Sequence, residues 1–163
     1  MLERLRAWIG RAEARELIGC ELDFEVGLGR AVLRGRVDRL ERDTDGRLVV
    51  VDLKTGSSQP KKADLDAHPQ LGAYQVAVEH GGFSDHGRTS GGAELLYVKK
   101  SSKSHEQAAL SATEDPQWAE DLIGRVADGM AAATFVATEN KHCRMCTVAT
   151  SCPLVARGRQ VTG

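Results

Sequence analysis

The run Arg47-Leu-Val-Val-Val-Asp-Leu-Lys54 constrains this chain more than any other stretch. It is β-branched and apolar, too short for a helix, and entered from the turn residues Asp45-Gly46, so it reads as a buried strand. Alternate side chains of a strand share a face. Asp52 and Lys54 therefore project together while Leu53 points the other way, which holds a carboxylate and an ammonium side by side. A buried ion pair alone would account for both. The preceding strand, Ala31 to Asp38, ends on a further acid, however, and a hairpin that sets Asp38 beside Asp52 places two carboxylates near one ammonium.

Two anions that close repel unless a cation lies between them, and a few hard oxygen ligands suit Mg²⁺ or Mn²⁺. Such an ion polarises a phosphoryl oxygen and lowers the pKa of a bound water, with Lys54 orienting that water or stabilising developing charge. The chemistry implied is phosphodiester hydrolysis. Downstream, a boundary near Asp66 with Pro69 in the first turn predicts a helix to about His80. On it Gln70 and Tyr74, four apart, share a face. Tyr74 suits core packing as well as a site, whereas a Gln70 aimed at the carboxylates can fix a water or a scissile phosphate. His68 reads as a helix-start residue rather than a ligand.

Gly35-Arg-Val-Asp38, Val51-Asp52-Leu-Lys54-Thr-Gly56 and His68-Pro-Gln70-Leu-Gly-Ala-Tyr74 resemble, in order and over nearly the whole chain, the nuclease motifs of the PD-(D/E)XK superfamily. The nearest likeness is to the RecB-like nuclease domain at the C-terminus of bacterial helicase-nucleases, in particular the AdnAB type with its UvrD-like helicase. The resemblance implies Asp38 and Asp52 as metal ligands, Lys54 as the catalytic lysine, and Gln70 with Tyr74 as the following helix motif. It also implies a restriction-endonuclease-like α/β core, a central mixed sheet flanked by helices, with Mg²⁺ or Mn²⁺ as cofactor. The expected substrate is DNA, as single-stranded ends delivered by a helicase motor of the same polypeptide or complex during double-strand-break repair. The chain has no G-x-x-x-x-G-K-[ST] motif, so ATP hydrolysis belongs to another part or to a partner. The family's further His or Glu, on a helix before the first strand, has no recognisable counterpart here; Glu13 and Glu16 are the acids available.

At 163 residues the chain reads as one domain, residues 1–163, and the resemblance implies that it is the C-terminal fragment of a larger helicase-nuclease. A net charge of −1 gives no global basic field. Local patches remain available, from Arg4, Arg6, Arg11 and Arg15 and from Lys99, Lys100 and Lys103, with solvated charge the simpler reading of the arginines. No apolar run approaches the roughly 18 residues of a bilayer span and no signal-peptide core is evident, so a cytoplasmic location is expected, without membrane contact.

Met1 to about Leu17 is expected to form an outer amphipathic helix, and Glu21 to Leu28 a half-buried strand that makes a three-stranded meander with the two already described. Thr55 to Lys62 reads as a loop and Gly81 to Gly92 as a flexible one. Glu94 to Lys99 is a fourth strand, beside the third, reached by a right-handed crossover. Ser101 to Thr113 reads as mobile with His105 at the surface. Pro116 to about Ala133 is a helix whose Trp118, Leu122, Val126 and Met130 stripe is expected in the core.

Cys143-Arg-Met-Cys146, followed after five residues by Cys152-Pro153, is a second chemical signal, a Cys-rich C-terminal loop spaced to grip a metal. In the related helicase-nucleases this spacing resembles the end of an iron–sulfur staple, which implies a [4Fe–4S] cluster on Cys143, Cys146 and Cys152. Cys20, eighteen positions before Asp38, stands close for the fourth ligand, which is then expected upstream of residue 1. Cys20 after all, His142 in a zinc site, or free thiols are the alternatives. From another functional class, the rival reading is a non-catalytic DNA-binding or docking module of a helicase complex; a restriction-like endonuclease acting alone is a third.

Overall fold

The computed structural model describes residues 2–10, 15–56, 58–98, 103–133 and 136–155. Its elements run α1 (Leu2–Ile9), β1 (Glu16–Leu28), β2 (Ala31–Arg42), β3 (Leu48–Lys54), α2 (Lys62–Asp66), α3 (Pro69–Glu79), β4 (Ser90–Tyr97), β5 (Lys103–Gln107) and α4 (Trp118–Ala131). The chain divides into two compact units, residues 1–127 and 128–163.

In the first unit the five strands form one mixed sheet in the order β1-β2-β3-β4-β5. The expected meander is present, antiparallel from β1 through β3, and β4 lies parallel to β3 with Val50 opposite Ala93. Parallel neighbours need a crossover, supplied by α2 and α3. Leu40, Leu48, Val50 and Leu95 pack with Leu71, Val76 and Val78 of α3 in the principal core. On the other face Val51, Leu96 and Val98 surround Trp8 of α1. The sheet is thus flanked by helices, as expected.

Several elements differ from their sequence expectation. The N-terminal helix stops at Ile9 and the first strand begins at Glu16; Arg11, Ala12 and Glu13 lie outside the described residues. The segment expected to be mobile contains β5, a polar edge strand whose partner β4 supplies the apolar side. His105 is not a bare surface residue: its ring meets Tyr97 edge-on at 5.6 Å, and its Nε2 lies 3.2 Å from Gln59 Oε1. The loop from Gly81 buries Phe83 in the principal core, and β4 starts already at Ser90. The α4 stripe is core only at its start: Trp118 packs against the principal core, while Val126 and Met130 are 54% and 68% exposed. No helix among the described residues is long and apolar enough to cross a membrane.

The second unit holds two short 3-10 turns, Cys143–Met145 and Ala149–Ser151. Phe135 lies outside the described residues.

Candidate active site

The site forms where β2 and β3 part. Their ladder pairs Arg39 with Val51, and continuing the register by one residue sets Asp38 opposite Asp52. Asp38 lies within β2 at a local irregularity. Val37 and Leu40 are both wholly buried although three residues apart, so the inward face of β2 changes between them. Across the ribbon Glu21 takes a positive φ of 53°, the kind of local irregularity that re-aims a side chain. Beyond the last paired residue Asp38 continues the strand pairing with its side chain, Oδ2 accepting from the Leu53 amide at 2.6 Å.

Asp52 and Lys54 share a face as the period of two requires, with Lys54 Nζ 2.7 Å from Asp52 Oδ2. From α3, Gln70 and Tyr74 complete a closed set of contacts. Lys54 Nζ donates to Gln70 Oε1 at 2.9 Å, and Gln70 Nε2 donates to Asp52 Oδ1 at 2.8 Å and to the Tyr74 hydroxyl at 2.9 Å. The Tyr74 hydroxyl donates in turn to Asp52 Oδ1 at 3.2 Å. Each donor and acceptor of the Gln70 amide thus has a use, which fixes its orientation.

Burial raises the pKa of the Tyr74 phenol; the hydrogen bond from Gln70 opposes the rise and the carboxylates of Asp52 and Asp38 add to it, to about 12. Tyr74 is therefore a protonated donor at neutral pH. His68 caps the start of α3, as expected, and its ring also lies in the field of the site: burial first and Lys54 second hold its pKa down, against Asp52. Its Nδ1 is buried without a hydrogen-bond partner.

Asp52 Oδ2 is buried and accepts no hydrogen bond in spite of the nearby ammonium. A buried carboxylate oxygen held only by the Lys54 ammonium, beside a second carboxylate, fits a small hard cation that takes its remaining positions from water or phosphate oxygens. Among the described residues no three His, Cys, Asp or Glu side chains are grouped to hold a metal ion. Cys143, Cys146 and Cys152 are not gathered into such a group, so the described tail lends no support to the expected iron–sulfur cluster or to the zinc alternative. All four thiols are free, and Cys20, exposed on β1, stands opposite Arg39. Glu16 faces away into an ion pair with Arg42 at 3.2 Å. Arg15 is not a solvated charge but binds Glu94 at 2.8 Å and Glu106 at 3.3 Å. Arg6 is exposed; the side chains of Arg4 and Lys103, and Lys99 and Lys100 altogether, lie outside the described residues.

Sequence reasoning missed Phe24, whose ring meets Tyr74 edge-on at 6.2 Å. The signal was present in Gly35, its cross-strand partner.

The profile of the PD-(D/E)XK nuclease superfamily matches residues 1–153. No curated protein matches the chain. Among solved structures, the crystal structure of SSO0001 is similar with a TM-score of 0.52 and 23% identity, a likeness of fold, over 91% of this chain and 65% of that one. The chain therefore spans less than two thirds of that relative's length.

Proposed function

The chain belongs to the PD-(D/E)XK nuclease superfamily, and from that premise we propose that it is a Mg²⁺- or Mn²⁺-dependent deoxyribonuclease domain of a RecB-like helicase-nuclease. Its task in this reading is exonucleolytic trimming of single-stranded ends, delivered by a helicase motor, in double-strand-break repair. The observation that carries the reading is the closed contact set of Asp52, Lys54, Gln70 and Tyr74 beside Asp38. A buried ion pair needs only two of these residues.

Asp38 and Asp52 would hold the metal, which when bound polarises a phosphoryl oxygen and lowers the pKa of water. The remaining work falls to the chain. Lys54 presents a cation toward the charge that develops on the phosphoryl oxygens. Gln70 holds Lys54 and Asp52 at fixed separation, through contacts of 2.9 and 2.8 Å. Tyr74, neutral at working pH, donates to Asp52 Oδ1 and orients that carboxylate.

The test is degradation of end-labelled single-stranded DNA by the purified chain with Mg²⁺, with Mn²⁺ and with chelator, against Asp52→Asn. Metal-dependent shortening by the wild type and none by the variant is the expected result. Equal DNA binding by both with cleavage by neither would overturn it in favour of a non-catalytic module.

A further inference from the structure

A second polar assembly lies on the other side of α3 and takes no part in the contacts above. Gln75, Ser90 and Gln107 are buried, at 0%, 2% and 3% exposure. Gln107 Nε2, at the end of β5, donates to Leu65 O at 2.8 Å, Asp66 O at 3.3 Å and His68 O at 3.5 Å. These carbonyls lie at the link between α2 and α3, where Leu65 O also accepts from the His68 amide and His68 O from the Gly72 amide, so Gln107 ties the two helix ends together. Gln107 Oε1 accepts from Gln75 Nε2 at 2.9 Å, and the same nitrogen donates to Ala108 O at 3.0 Å. Gln75 Oε1 accepts from Ser90 Oγ and from Leu110 N, both at 2.9 Å. Gly92 completes the arrangement, since a Cβ there would stand 2.5 Å from Gln107 O.

The direction of these bonds matters more than their number. Apolar packing lets a helix slide by fractions of an ångström, whereas hydrogen bonds at both ends of an amide lock rotation and axial position together. Gln75 follows Tyr74 directly, so the turn of α3 that reaches Asp52 is the turn gripped from behind. We propose that Gln107, acting through Gln75 and the α2–α3 carbonyls, is a positioning residue that sets where α3 lies against β3 and hence where Gln70 meets Asp52 and Lys54. Its consequence for turnover rests on the nuclease reading; its consequence for Lys54 does not.

The test labels lysines of the whole chain with a limiting acylating reagent and reads each site by peptide mapping, with exposed Lys61 and Lys141 as internal standards. In Gln107→Met, of similar length but without donors, Lys54 labelling is expected to rise about threefold to tenfold, the range for loss of one hydrogen bond. Gln70→Ala raises it equally, and the double variant no further, because both act on one contact. Unchanged Lys54 labelling in a folded Gln107→Met, or additive effects in the double variant, overturns the proposal. Should Gln107→Met not fold, Ser90→Ala, which removes one bond to Gln75, decides by the same readout: a smaller rise supports the proposal and none overturns it. With DNA, Gln107→Met lowers kcat and leaves KM unchanged. If the wild-type chain cleaves nothing, the nuclease reading falls while the labelling result stands or falls by itself.

Discussion

Gly35 lies directly across the β1–β2 ribbon from Phe24, and the Phe24 ring fills the space that a side chain at position 35 would occupy. A Cβ built on Gly35 would stand 2.7 and 2.9 Å from ring atoms of Phe24. The same ring meets Tyr74 edge-on, so a backbone position three residues before Asp38 governs how a hydroxyl on α3 reaches Asp52. Gly35 in the Gly35-Arg-Val-Asp38 segment is thus a packing requirement of the site.

Gly35→Ala is accordingly expected to lower unfolding free energy by about 1–3 kcal/mol, the usual cost of overpacking. Gly27→Ala, in the same ribbon with nothing within 4 Å of the added carbon, is the control and leaves the urea midpoint nearly unchanged. A Gly35→Ala protein as stable as that control would refute the close approach.

Tyr74 gives a prediction in alkali. A phenol whose folded pKa is raised, here to about 12 against 10.0, favours the folded state fully below the unfolded value and loses that contribution as pH climbs from 10 toward 12. Absorbance titration should therefore show one phenol ionising near 12, absent from Tyr74→Phe. The variant should also turn over roughly tenfold more slowly, as for one lost hydrogen bond to a charged group. A full phenol transition near 10 in the wild type would show that Tyr74 is not enclosed by the carboxylates.

The residues legible before the structure are those whose period is local. Asp52 and Lys54 follow from alternation in a strand, and Gln70 and Tyr74 from spacing on a helix. What escaped depends on distant partners. β5 is polar and gains its place only by pairing Leu95 with His105 and Ala93 with Gln107. Arg15 reads as a solvated charge until Glu94, far along the chain, accepts its Nη1. The α4 stripe is periodic, yet Val126 and Met130 are exposed, because periodicity says which residues share a face and not whether that face is covered. Thiol spacing in the tail likewise permits a site, and among the described residues the thiols are not grouped into one.

The β2–β3 turn contributes to the acid sensitivity of the fold. Burial tends to raise the pKa of Asp43, but amide and guanidinium bonds from Arg47 and the Asp45 amide outweigh it and hold the carboxyl below its ordinary value. A depressed folded pKa contributes stability above the unfolded value near 4, lost as pH falls through the folded one. Asp43→Ala removes the acceptor for the Asp45 and Arg47 amides and should cost about 1–2 kcal/mol at neutral pH. Its urea midpoint should also fall less than that of the wild type between pH 5 and roughly pH 3. Parallel acid curves for the two proteins would remove Asp43 from the account.

In the proposed function Lys54 and a divalent ion would compete for the same carboxylate, and that competition can be measured without substrate. Asp52 is nearly buried, with Lys54 Nζ at 2.7 Å from an oxygen that accepts no hydrogen bond. Lys54→Met strips that carboxylate of its cation, at a cost of roughly 1–3 kcal/mol once the partial exposure of the lysine is allowed for. An ion bound only by the folded state restores stability by mass action. Added Mn²⁺ should therefore raise the Tm of Lys54→Met more than that of the wild type, and that of Asp52→Asn hardly at all. Turnover of Lys54→Met should drop about a hundredfold to a thousandfold, as for other lost charge-stabilising donors, while DNA binding persists. Equal Mn²⁺ stabilisation in all three proteins would place the ion elsewhere and leave the Asp52–Lys54 pair a purely structural contact.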